Sequence, residues 1–396
     1  MKNKMTEPTK AMTPAKRGLS LLLTTSVATL ACLPAFAMDY SNEHDQDDEE
    51  THYQQINLVS DISGVAQLQD TNLVNAWGIS FGPTGPFWIS DNGAGKATLY
   101  AVTNDDSGLP HVTRNARVVT IPGNGSVTGQ FNNNTTGFNG DAFVFASEDG
   151  TISGWRPALG NAAEVLATRN TAVYKGITLA TNATGPVLLA ANFSEGTIDE
   201  YDSSLQLVGQ FTDGYAPAGF APFNVQNVAG NVFVTFAKQD AAKHDDVPGR
   251  GHGLIDVFIP ANGTFHRFAT GTAAGGNIRA INSPWGIALA PGSFGSHANQ
   301  LLVGNFGSGT IMSFDADGKF RGLLKGTEEC PVTIDGLWAL RFGTAGAAGV
   351  PTDLYFSAGP DGESHGLFGV IQPQNDNNDS DDNDNDSDNP SAPKAN

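Results

Sequence analysis

Between residues 55 and 371 apolar residues come in short runs, alternating with polar ones and broken by Gly, Asn, Asp and Thr. No stretch of useful length keeps a helical period, so the pattern predicts strands throughout. Residues 283–326 show it best. Four strands are expected there, at 285–289, 300–304, 310–314 and 319–324. Asp315-Ala316-Asp317-Gly318 reads as a hairpin turn, because Asp and Gly tolerate the dihedrals of tight turns. A four-stranded antiparallel unit of this length cannot bury both its faces alone and needs copies of itself on either side.

The copies are present. The first-strand position of Trp285 recurs at Trp77, Thr128, Lys175, Asn224 and Trp338, in steps of 51, 47, 49, 61 and 53 residues. That matches the period of about 40–50 residues of a propeller blade, allowing for loop insertions. The third strand repeats as Gly-Thr-Ile at Gly150, Gly196 and Gly309, and more loosely at Gly253-Leu254-Ile255. Six first strands predict an all-β, six-bladed β-propeller of four-stranded antiparallel blades. A β-sandwich requires no fixed period, and a β-helix repeats at a much shorter one. The last copy supplies only three strands, while a spare strand at 55–60 precedes the first copy. Pairing it with 366–371 would close the ring and remove its open edges.

Composition changes the picture mainly at the ends. Lys2, Lys4, Lys10, Lys16 and Arg17 precede an apolar run at 19–33, and Ala35-Phe36-Ala37 fits a small-x-small cleavage site. Residues 1–37 therefore read as a signal peptide, its apolar run too short for a comfortable membrane span. An acidic leader (38–53), the propeller (54–373) and an Asn/Asp/Ser-rich tail (374–396) follow; the two polar segments cannot bury enough to order themselves. The expected location is the periplasm or the cell exterior. Cleavage would leave Cys330 alone, so no internal disulfide is expected. The net charge is −20, but the leader and tail hold 14 of the 41 acidic residues. Basic residues are not clustered, which argues against nucleic acid and anionic membrane surfaces as partners. A monomer without a membrane span after cleavage is expected.

Loops before first strands and after second strands open on one face of a propeller, around its central channel. That frame brings Asp91 and Asn92, Glu148 and Asp149, Asn192 and Glu195, Asn224, Asn305 and Asp335 toward one mouth. Oxygen ligands from several blades suit a hard cation, Ca²⁺ or another divalent ion, with Asp91, Glu148, Asn192, Asn224 and Asn305 as the set to test. Each of these residues taken singly reads equally well as a turn former. Blade four carries a long charged insertion after its second strand, residues 238–253. Lys238, Asp240, Lys243, His244, Asp245, Asp246, Arg250 and His252 make it a candidate binding loop, with His244 as a base or metal ligand. Trp77, Trp285 and Trp338 recur at one structural position, which favours packing between blades over a sugar-stacking platform. No nucleophile elbow, P-loop, zinc motif or dinucleotide fingerprint occurs.

Asn72–Pro83 (NLVNAWGISFGP), Ser147–Trp155 (SEDGTISGW) and Lys238–Val247 (KQDAAKHDDV) resemble a family of uncharacterised exported bacterial six-bladed propeller proteins. Many of its members end in a Pro-Glu-Pro sorting tail, which this chain lacks. More distantly, the blades are similar to those of NHL-repeat and gluconolactonase-like propellers. The latter resemblance implies a divalent cation, with Glu148, Asn192, Asn224 and Asn305 as counterparts by position, although the flanking motifs differ. The expectation is a binding or interaction module for a small molecule, glycan or protein; the alternative is a divalent-cation-dependent, lactonase-like hydrolase.

Overall fold

The computed structural model describes residues 51–374 except 273, 274 and 277. The segment expected to be a signal sequence, most of the expected acidic leader and nearly all of the expected tail lie outside the described residues. The body is a six-bladed propeller of four-stranded antiparallel sheets. Its first strands are Ala76–Ser80, Val127–Asn132, Tyr174–Asn182, Phe220–Val228, Pro284–Leu289 and Leu337–Phe342, in blades one to six. Each touches the first strand of the next blade, so together they line the axis.

The ring closes as the spare strand predicts. His52–Ser60 runs antiparallel to Leu367–Gln374, with Gln55 opposite Ile371 and Ser60 opposite Leu367. The sixth blade thus takes its outer strand from the start of the body, and Leu68–Gln69 adds a short parallel strip beside it. Burial falls from axis to rim. Phe143–Ser147 and Leu354–Ala358, both second strands, are buried at every position, whereas the fourth strand Pro110–Thr120 is largely exposed. Long apolar runs therefore mark inner strands, and mixed polar runs mark the rim.

Every first strand carries a bulge at the recurring position. The bulge turns one side chain toward the axis, and these are Trp77, Thr128, Lys175, Phe223, Trp285 and Trp338. Blade four corrects the sequence alignment by one residue: Phe223 is its axial side chain, not Asn224. Asn224 stands where the other blades have Gly78, Gly129, Gly176, Gly286 and Ala339. Those glycines are required by proximity. A Cβ on Gly78 would come 2.5 Å from the Thr128 carbonyl, and one on Gly129 would come 2.8 Å from the Ile177 nitrogen.

Among the hairpins, Asp315 does what its motif predicts: its carboxylate accepts from the Asp317 and Lys319 amides at 3.0 and 2.9 Å. Asp105 and Asp202 make the same turn in blades one and three. Cys330 is disulfide-bonded in the whole chain; the expectation of a lone thiol concerns the chain after cleavage.

Candidate functional site

The axis is filled, not hollow. Trp77 stacks on Trp338 at 3.6 Å between ring centroids, Phe306 stacks on the other side of Trp338 at 4.0 Å, and Trp285 meets both indoles edge-on. Phe223 joins at 5.8 Å from Trp338. The tryptophans are buried packing elements, as their recurrence suggests. Lys175 is the charged member of this axial set. Its backbone carbonyl accepts from the Trp285 indole at 3.0 Å, and its ammonium lies 5.4 Å from the Trp77 ring centre, within cation–π range.

Above the aromatic plug, side chains from five blades form one hydrogen-bonded chain. Asn75 donates to Glu363 at 2.6 Å and to Asn92 at 3.2 Å. Asn92 donates to Glu148 at 3.1 Å. Glu148 also accepts from the Lys175 ammonium, which reaches Asp245 at 3.2 Å on its other side. Asp245 pairs with His244 at 2.8 Å. Trp338 ties the chain to the plug by donating to Asn75 at 3.0 Å. Asn92, Glu148, Asp245 and Glu363 all come from turns between second and third strands, and Asn75 sits just before a first strand. These are the two loop classes that open on one face.

The electrostatics follow from burial and pairing. The Lys175 side chain is 3% exposed. Burial works against its charge, but Glu148 and Asp245 outweigh it and hold its pKa above the usual lysine range. Burial likewise opposes ionisation of Asp245, and Lys175 with His244 overcomes it, holding the carboxyl below its ordinary value. Glu363 goes the other way, pushed up by burial despite the Asn75 hydrogen bond. Asn75 and Glu363 hold left-handed backbone at φ 47° and 67°. That conformation is uncommon for Glu and is the kind of strain found at ligand clamps.

The structure brings some of the expected site residues together and sends others elsewhere. Asn92, Glu148, His244 and Asp245 share the mouth. Asp91 is fully buried in blade one and takes its hydrogen bond from Thr98. Asp149 caps the Thr151 amide. Asn192 donates to Asp199 and Asn224 to the Trp285 carbonyl. Asn305 holds the Asn282 amide, the Ala280 carbonyl and Thr310, and Asp335 accepts from the Asp361 amide. Asp91, Glu148, Asn192, Asn224 and Asn305 are not hydrogen-bonded to one another; only Glu148 of the five belongs to the mouth network. The ligand atoms of Glu148, His244 and Asp245, by contrast, all lie within 4.8 Å of one another.

The blade-four loop divides into two parts. Its base is tied to blade five through Gly249 to Asn282, Gly251 to Ile281 and Ser283 to His252. Asp246 is partly buried there, and His252 meets the Val247 carbonyl at 2.7 Å. Its tip, 240–245, curls on Asp240, whose carboxylate accepts the His244 amide at 2.9 Å. Lys238 and Lys243 lie outside the mouth network; Lys243 and Arg250 are exposed. Asn75 and Glu363 escaped the sequence reading, although both occupy the loop classes that reading used. The repeat marks Lys175 as axial, but nothing local in the sequence shows that its charge meets carboxylates of other blades.

Comparison with known proteins places the chain as follows. No family model matches it. Uncharacterized protein R648 of Acanthamoeba polyphaga mimivirus is 30% identical over 334 residues, 79% of this chain and 78% of that protein. Among solved structures, virginiamycin B lyase from Staphylococcus aureus is similar at a TM-score of 0.45 and 14% identity, over 82% of this chain and 88% of that one. A gluconolactonase from Xanthomonas campestris is similar at a TM-score of 0.31 and 15% identity, over 60% and 84%. These structural likenesses concern the propeller fold alone.

Proposed function

The chain belongs to the family of the mimivirus protein R648, and from that starting point we propose that it is an exported, monomeric binding propeller that takes a small polar ligand at its mouth. One observation carries the reading: Asn75, Asn92, Glu148, Lys175, Asp245 and Glu363, drawn from five blades, join in a single network. A fold needs no such convergence at its axis, where the aromatic plug already supplies the packing. Buried polar networks are costly unless fully satisfied, so their presence at a loop-lined mouth points to recognition. Among the described residues no helix is long and apolar enough to cross a membrane.

A second reading, a divalent-cation-dependent hydrolase, is favoured by the close approach of Glu148, His244 and Asp245. Two carboxylates and an imidazole are a workable donor set for a divalent ion. A bound ion there would act as a Lewis acid on a carbonyl. Lys175 already holds two of the three donors, so such an ion requires the ammonium to swing aside.

A thermal-shift screen of small molecules and glycans, run beside a lactone and ester panel with and without EDTA, separates the readings. A stabilising ligand whose effect is lost in Glu148→Gln and Asn92→Ala supports the binding mouth. Turnover abolished by EDTA would replace it with the hydrolase.

A further inference from the structure

Resting on the reading of the mouth as a ligand site, we propose that the tip of the blade-four loop is a tethered competitor, its Asp245 carboxylate holding the place on Lys175 that a carboxylate-bearing ligand takes when the tip lifts.

The donors of the mouth are already matched to carboxylates. Asn75 serves Glu363, Asn92 serves Glu148, and Lys175 serves Glu148 and Asp245. Two of these carboxylates stand on shorter turns held by backbone bonds, the Glu148 amide to the Ser126 carbonyl just before the blade-two first strand at 3.0 Å and the Glu363 amide to the Gly359 carbonyl within its own turn at 3.1 Å. Asp245 stands on the longest turn of its class, residues 239–252. Within that turn the tip folds on itself, Asp240 to Asp245 at 2.8 Å and Lys243 to Asp240 at 3.2 Å. Among the described residues, the hydrogen bond of 240–245 to the rest of the propeller is the one from Lys175 to Asp245. The Asp245 side chain is 66% exposed, while that of Lys175 is 3% exposed. The pair is thus fixed at its cationic end and wet at its anionic end.

An exchange of carboxylates keeps the charge of the mouth constant. When Asp245 leaves, Lys175 loses one of its two counterions while remaining buried above Trp77, and an incoming carboxylate restores the balance. The exposed end of the pair is weakly held, so the displaced side chain gives up little on entering water. A cationic ligand has no such exchange open to it. It would meet an ammonium within hydrogen-bond reach of both carboxylates it sought. The tethered carboxylate acts as an intramolecular ligand, and its effective concentration sets how strongly a free carboxylate must bind to replace it.

The test uses the whole propeller and sodium benzoate as the carboxylate, with benzamide as its neutral counterpart, by isothermal titration. Asp245→Asn removes the competitor's charge and should bind benzoate at least tenfold more tightly than the unaltered protein, with benzamide unchanged. Adding Lys175→Gln to Asp245→Asn should abolish the gain. In the unaltered protein, benzoate should speed amide exchange across 240–246. Equal or weaker benzoate binding in Asp245→Asn overturns the proposal, as does an equal gain for benzamide. Asp245→Ser, checked for an unchanged melt, guards against a folding artefact. A mouth ligand from the thermal-shift screen that binds Asp245→Asn and the unaltered protein equally would end the competitor while leaving the mouth intact. The same ligand's indifference to Glu148→Gln and Asn92→Ala would end both.

Discussion

The indoles of Trp77 and Trp338 lie face to face, 3.6 Å apart and 16° from parallel, although 261 residues separate them in sequence. They belong to the first and sixth blades, so the stack spans the seam where the ring closes. Trp338→Ala removes this stack, the Phe306 stack and the indole donor to Asn75. It should cost about 3–5 kcal/mol, the range for emptying a large aromatic site. Urea unfolding measures it; a cost below about 1 kcal/mol, typical of surface changes, would show the seam is not held there.

Ring closure makes a second prediction. Removing residues up to 60 strips the outer strand from blade six and exposes the Leu367–Gln374 edge. The truncated chain should lose its cooperative melt and associate, as unpaired edges do. Circular dichroism and gel filtration read both effects. A gentler version, Leu58→Ala at a fully buried position, should cost about 2–5 kcal/mol.

Much of this was legible in the chain and some was not, for physical reasons. Strand alternation and the Gly-Thr-Ile repeats are local, so blade number and the closing strand could be read directly. The blade-four register is not legible because Phe223-Asn224 lacks both the tryptophan of blades one, five and six and the glycine that follows the axial residue in four of the other five blades. The mouth was half legible. Asn92, Glu148 and Asp245 follow from their loop class, whereas the Asn75–Glu363 pair joins residues 288 apart and has no local signature. Asn192, Asn224 and Asn305 look like ligands in sequence because turn formers and oxygen ligands are the same residue types; only side-chain direction separates the two.

Lys175 and Glu148 should show strong coupling. Lys175→Met leaves the mostly buried Glu148 without its counterion, a loss of about 3–5 kcal/mol when one partner of a buried pair is removed. The double variant with Glu148→Gln should be more stable than Lys175→Met alone. A double-mutant cycle with additive losses would refute the pairing.

The rim predicts an acid-favoured component of stability. Arg267 serves two carboxylates, Asp256 at 2.5 Å and Asp213 at 2.6 Å. Burial pushes Asp256 up to about 7 from its ordinary 3.8, with Arg267 partly opposing and Asp213 adding to it. The folded state therefore holds more protons than the unfolded one between those values. Its stability from this group falls as pH rises through that window. Asp256→Asn should flatten the decline between pH 4 and 7 in denaturant titrations. An unchanged slope would place the effect elsewhere.

Shortening the tip alone should be mild. Replacing residues 240–245 with a Gly-Asn link keeps the base bonds to Ile281, Asn282 and Ser283, and loop length changes closure entropy only slowly. The melting temperature should stay within a few degrees, because a loss of about 1 kcal/mol shifts a large domain by roughly 2–4 °C. A collapse of the melt would make the tip part of the fold rather than a cover over the mouth.

The antiparallel pairing that sets His52 opposite Gln374 also decides how the propeller answers to force. A pull that separates these two residues meets the ladder at its end, with the hydrogen bonds lying along the pull and across the strands. The bonds then break one after another, from His52–Gln374 toward Ser60–Leu367, instead of all at once. The closing strand is a zipper, and tension applied through both flanks of the body opens the ring there first, while the stacked indoles at the axis still hold the other strands of blades one and six together.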